Sequence, residues 1–177
     1  MKSCEKYGKW LVSILLWCIV LVPCNTMAGP EMSTASYEET VTQWTSYRDV
    51  ANWMSKNFQY EYGRKVSGWQ PRNPEQTFKL RTGMCQDGAN FALHALNRIN
   101  PDYHARIVFI KNRVGPPHHW VTAFTMDGKL YIIDYGAGAR WASMMGVHGP
   151  YNSLTEYENF LSSLQMSGFK VQDVSFQ

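Results

Sequence analysis

The spacing of apolar residues changes character along the chain, and each change marks a different kind of element. Val41, Trp44, Ala51, Met54 and Phe58 recur near a helical spacing, so residues 36–57 read as one amphipathic helix with a single apolar stripe. Residues 59–72 carry Gly63, Gly68 and Pro71 and read as a loop. Asn73-Pro74-Glu75-Gln76 then has the form of a helix start, with a capping Asn, Pro at the first helical position and an early acid. Gly83 is expected to end that short helix. A longer helix is predicted from Cys85 to about Asn97, burying Ala89, Ala92, Leu93 and Leu96, with Asn100-Pro101 as its stop.

Beyond this central helix the period shortens to that of strands. Ala105 to Ile110 is a β-branched apolar run, and Gly115-Pro116-Pro117 breaks it. His119 to Met126 and Lys129 to Asp134 read as two strands joined by Asp127-Gly128, a strong two-residue hairpin signal. Residues 136–150 are glycine-rich and read as irregular, Leu154 to Leu164 as a helix, and Phe169 to Phe176 as a last strand. No internal repeat is visible. Helices thus come first, and the second half is mostly sheet.

Composition adds a cellular address. The 177 residues, 45% hydrophobic and 14% aromatic, suit a compact domain with a real core. Lys2, Lys6 and Lys9 precede an apolar run from Trp10 to Val22, shorter than the ~20 residues of a comfortable membrane span but suited to an export signal. Residues 1–28 are therefore expected to be a signal peptide, followed by a single domain over 29–177, and the product to be periplasmic or secreted. Small residues near Thr26 and Ala28 allow cleavage before Gly29; Cys24 offers a competing lipid-anchoring site, disfavoured by Pro23 beside it.

Removing that leader also removes most of the apparent basicity. Without Lys2, Lys6, Lys9 and Glu5, the 17 basic and 14 acidic residues become 14 and 13, a net +1 with histidines neutral. No basic stripe interleaved with aromatics is present, so nucleic acid is excluded as an expected partner, and no membrane span is expected in the mature chain. Of the four cysteines only Cys85 lies beyond residue 28, and one thiol cannot form an intrachain disulfide. It is either a buried, inert side chain or a reactive one.

The surroundings of Cys85 favour reactivity. At a helix start, unpaired backbone amides and the helix dipole stabilise an anion and draw a thiol's pKa down from its free value of ~8.5. Asp87, in the same turn, reads as a capping residue rather than a reacting group. Downstream lie His118 and His119 and, on the hairpin partner, Asp134. With Asp127-Gly128 as the turn, Met126 faces Lys129 and Val121 faces Asp134. His119 shares the face of Val121, because strand side chains alternate, and so lies diagonal to Asp134. His118 points to the opposite face or into the preceding loop; a bulge would exchange the two.

At these residues the chain resembles the transglutaminase-like superfamily, whose pattern is Gly-x-Cys-x-Asp opening a helix, a His near an aromatic on a strand, and an Asp ending the next strand. Here it reads Gly83-Met84-Cys85-Gln86-Asp87, then His119-Trp120-Val121, then Asp127-Gly128 through Asp134, and it covers about residues 73–136. Two departures stand out. Many members place the histidine two residues before the Trp, which would point to His118, and many have Pro after the aspartate, where this chain has Tyr135. The 15-residue step from His119 to Asp134 fits the family hairpin without a gap.

The resemblance implies a papain-like α+β core, a central helix carrying the thiol against an antiparallel sheet, and a Cys85/His119/Asp134 triad that needs no metal and no cofactor. It implies acyl transfer at an amide through a thioester, with the oxyanion held by the Cys85 N–H and a second donor among Gln70, Trp69 and Gln86. The expected function is an exported peptidase or amidase acting on a protein or peptide, cell-wall peptide included. Protein crosslinking by the same acyl-enzyme is an alternative, as is a binding module on the same fold. A metal site at Cys85 and the two histidines is disfavoured, since adjacent strand histidines point apart.

Overall fold

A computed structural model of the protein describes residues 35–177. The expected signal peptide and Cys24 lie outside the described residues.

The expected helix over 36–57 is two helices, α1 (Tyr37–Val41) and α2 (Tyr47–Asn57). The apolar spacing runs across the junction, but the local polar chemistry breaks it. Ser36 and Glu39 cap α1 reciprocally. Asp49 Oδ2 accepts from the backbone amides of Thr45 and Ser46, both at 2.9 Å, and restarts the helix there. The aromatics of this region are core: Trp53 stacks on Phe78 and Phe91, with ring centroids 5.0 and 4.7 Å away.

After the short strand β1 (Gln59–Tyr60), a loop leads to α3 (Pro74–Leu80). Asn73 caps it as expected, its Oδ1 accepting from Gln76 N at 2.8 Å. Its end differs from the sequence reading: Arg81, in the left-handed region at φ 55°, terminates the helix, and Gly83 instead falls in β2 (Thr82–Gly83), parallel to β1. This two-residue pair is too short to carry a periodic signal. The central helix α4 (Cys85–Ile99) starts where the sequence places it and runs two residues beyond Asn97. Phe91 and Ala95 join Ala89, Ala92 and Leu96 as its buried face, while Leu93 is half-buried.

Five antiparallel strands follow: β3 (Arg106–Asn112), β4 (His119–Met126), β5 (Lys129–Asp134), β6 (Gly146–Tyr151) and β7 (Val171–Phe176), in the order β6-β5-β4-β3-β7. Asp127 and Gly128 form the β4–β5 turn, both left-handed at φ 52° and 69°, and Met126 pairs with Lys129. Strand β6 overlaps the end of the stretch expected to be irregular and runs one residue past it. It is an edge strand with a register shift opposite Leu130 and Ile132, a position that tolerates its Gly149 and Pro150. Helix α5 (Leu154–Ser163) returns the chain to β7.

Strand alternation sorts the core into two layers. Phe124 and Ile133 pack with α1, α2 and α4 on one face, and Val121, Ala123 and Ile132 pack with Tyr157 and Leu161 of α5 on the other. Thr122 Oγ1 donates to Ala89 O at 2.6 Å, pinning the second turn of α4 to β4. The chain is thus a mixed helix-and-sheet protein with its cysteine-bearing helix packed on an antiparallel sheet. No helix among the described residues is long and apolar enough to cross a membrane.

Candidate functional site

Cys85 is the first residue of α4, and the turn that presents it is built around Asp87. The Asp87 carboxylate is wholly buried. It accepts from Met84 N at 2.7 Å, from Arg72 N at 2.7 Å and from two nitrogens of the Arg64 guanidinium at 2.7 and 3.1 Å. Asp87 therefore caps the helix, as its position suggests, and also ties the 61–72 loop to it. Gly83 makes this possible, since a Cβ there would stand 2.6 Å from Asp87 Cβ. Arg72 reaches on to Glu61 at 2.6 Å, closing the network.

The register of β4 and β5 brings His119 and Asp134 together. His119 Nε2 donates to Asp134 Oδ2 at 2.6 Å, with both residues almost wholly buried. Asp134 Oδ1 accepts from Gly136 N at 2.9 Å, which fixes the carboxylate from its other side. With Nε2 engaged, Nδ1 is the ring nitrogen left free for a second partner, and the Cys85 side chain lies near enough to favour the charge on the ring. Burial alone opposes a charge on the ring, but Asp134 and the Cys85 sulfur outweigh it and push the His119 pKa up to about 10. His118 takes a different course. Its Nδ1 accepts from Asn112 N at 3.2 Å and its ring lies edge-on to Phe109.

The chain after β5 closes on the helix start. A Cβ added at Gly136 would stand 2.6 Å from Cys85 Cα and 3.3 Å from Cys85 Cβ, so only hydrogen fits between them. Cys85 keeps 5% of its accessible surface. Tyr60 lies near it, its pKa raised by burial and then by Cys85, and Trp120, the residue after His119, meets the exposed Trp69 at 6.1 Å. Beside Asp134 lies Tyr157 of α5, its hydroxyl held well above the usual tyrosine range by burial and next by that carboxylate. Among the described residues no group of three or more His, Cys, Asp or Glu is arranged to hold a metal ion.

Of the three candidates for a second oxyanion donor, two touch each other. Gln70 N donates to Gln86 Oε1 at 2.8 Å, and Gln86 Nε2 is buried without a partner. Sequence reasoning missed Arg64, Arg72, Gly136 and Tyr157. The first two are loop residues 23 and 15 positions from Asp87, a separation at which no local period operates.

No curated protein matches the chain in sequence. Among solved structures, Legionella pneumophila LapG is similar in its EGTA-treated form at 20% identity, covering 50% of each chain with a TM-score of 0.39. The calcium-bound form is similar at 17% identity, covering 58% of this chain and 60% of that one, with a TM-score of 0.40. The chain thus spans half to three-fifths of the length of the solved chains it matches. The family model for the transglutaminase-like domain matches residues 32–139, a span holding Cys85, His119 and Asp134. That match takes in more than half of the sequence, and the chain belongs to the transglutaminase-like family.

Proposed function

We propose that this protein is an exported, cysteine-dependent acyl-transfer enzyme acting on amide bonds of a protein or peptide, a peptidase or amidase in which Cys85 is the nucleophile, His119 the base and Asp134 its orienting partner. The observation that carries this reading is the buried pair in which Asp134 Oδ2 accepts from His119 Nε2 at 2.6 Å, with the Cys85 side chain near enough to act on the charge of the ring. Asp134 favours the charged ring, so proton transfer from the thiol to His119 Nδ1 leaves a thiolate beside an imidazolium.

The sulfur then attacks the carbonyl carbon, and the electron pair of the C=O bond moves to oxygen. The Cys85 N–H, ahead of the first intrahelical bonds of α4, is placed to meet that oxyanion. Collapse breaks the C–N bond, the amine leaves with the proton from His119, and a thioester remains. Water, deprotonated by His119, attacks the thioester and releases a carboxylic acid and the thiol; an amine in place of water gives a new amide instead. The Lys-flanked apolar leader supports export to the periplasm or the medium.

The test is hydrolysis of a peptide panel by the mature protein, with amine incorporation measured in parallel. Cys85→Ala and His119→Ala should each lower turnover by roughly 10³-fold or more, and Asp134→Asn by a similar order. Turnover that survives Cys85→Ala would overturn the reading.

A further inference from the structure

Two side-chain polar atoms among the described residues are buried without a hydrogen-bond partner: Gln86 Nε2 and the Tyr157 hydroxyl. Folded proteins rarely leave such groups unmatched, and the exceptions cluster where a ligand completes the pairing. Gln86 follows Cys85 directly and is 1% exposed. Its orientation is set by chemistry: Gln70 N donates to it at 2.8 Å, and only the amide oxygen can accept. Nε2 is thereby fixed as a donor with nothing to donate to, one residue from the thiol.

We infer that Gln86 Nε2 is the second oxyanion donor of this site, a catalytic residue that acts with the Cys85 N–H on the carbonyl oxygen of the substrate. The inference rests on the acyl-transfer reading above. A carbonyl oxygen arriving at Cys85 supplies the missing acceptor, and the negative oxygen of the tetrahedral intermediate is a stronger one, so the bond tightens as charge develops. The loop that presents Gln70 is fixed at two points: Gln70 N holds Gln86, and its neighbour Trp69 leans on Trp120, the residue after His119. The amide is therefore preorganised rather than recruited.

Two reactions of the same thiol separate this role from a structural one. Iodoacetamide alkylates sulfur by displacing iodide and forms no oxyanion. p-Nitrophenyl acetate acylates it through a tetrahedral intermediate, with p-nitrophenol leaving and a thioester forming. In Gln86→Met and Gln86→Leu, acylation of Cys85 should fall by about 10²-fold, while alkylation at pH 7 stays within roughly twofold of wild type. Equal losses in both reactions, or acylation unchanged in either folded variant, would overturn the inference. If wild-type protein shows no Cys85-dependent release of p-nitrophenol, the acyl-transfer reading falls and this inference with it; a wild type that acylates beside variants that acylate equally well removes the Gln86 role alone.

Discussion

Gly136 stands against Cys85 so closely that a methyl group on it would lie 2.6 Å from Cys85 Cα. The same residue donates its backbone N–H to Asp134 at 2.9 Å, so one glycine sets both the approach of the helix start to the sheet and the angle of the carboxylate. A contact of backbone on backbone cannot be relieved by turning a side chain. Gly136→Ala should therefore shift Cys85 away from His119, destabilise the protein by about 1–3 kcal/mol and slow alkylation of the thiol. Gly128→Ala is the control: with φ at 69° and nothing within 4 Å, it should cost about 1–2 kcal/mol from backbone strain alone and leave alkylation unchanged. Thermal denaturation beside alkylation rates separates the two effects.

The charge on His119 should make stability depend on pH in a definite direction. In the unfolded chain the ring titrates near ~6.5, and in the folded protein at about 10. The ring's proton comes from the Cys85 thiol, so from ~6.5 to ~8.5 the folded pair and the unfolded chain, whose thiol is still protonated, hold equal numbers of protons. Only from ~8.5 to about 10 does the folded state keep a proton that the unfolded state has released, and there stability falls as pH rises, by at most about 1.4 kcal/mol per pH unit. Asp134→Asn, which removes the first of the attractions that outweigh burial, should flatten this slope in urea denaturation from pH 6 to 10. An unchanged slope would contradict the assignment. Nitrogen shifts of the labelled ring should remain those of the doubly protonated form above pH 8 in wild type only.

The ion pairs should differ sharply in worth. Arg64 makes two bonds to a carboxylate that has no solvent to fall back on, so Arg64→Gln should cost about 1.5–3 kcal/mol and speed hydrogen exchange across residues 61–72. Arg98 and Glu38 meet at 3.0 Å, but both side chains are more than half exposed, and Arg98→Ala should change stability by less than about 1 kcal/mol. Equal effects in chemical denaturation would mean that the Asp87 network holds the loop no better than a surface contact does.

How far the sequence was legible depended on how local each determinant is. The Asp127-Gly128 turn fixed the register that sets His119 rather than His118 beside Asp134, because a two-residue loop with two left-handed positions admits only that pairing. The start of α4 at Cys85 was visible for the same reason: its stop and stripe are encoded within a few residues. The break between α1 and α2 depends on one carboxylate, Asp49, competing for backbone amides, and the apolar period is blind to it. Strand β6 was hidden because Gly149 and Pro150 mark a loop in isolation, and only its place at the sheet edge makes them acceptable. The loop network of Arg64, Arg72 and Asp87 is long-range and leaves no periodic trace.

The most direct test of the whole account is the alkylation of Cys85 by iodoacetamide at pH 7, native against urea-unfolded, with the labelled residue identified by mass spectrometry. A thiol that shares its proton with His119 should react at least about tenfold faster in the native protein than in the unfolded chain; His119→Ala should drop below the unfolded rate, and His118→Ala should stay near wild type. Native Cys85 reacting more slowly than the unfolded chain, or a His119→Ala protein that keeps the full native rate, would show a buried and inert sulfur and contradict the account.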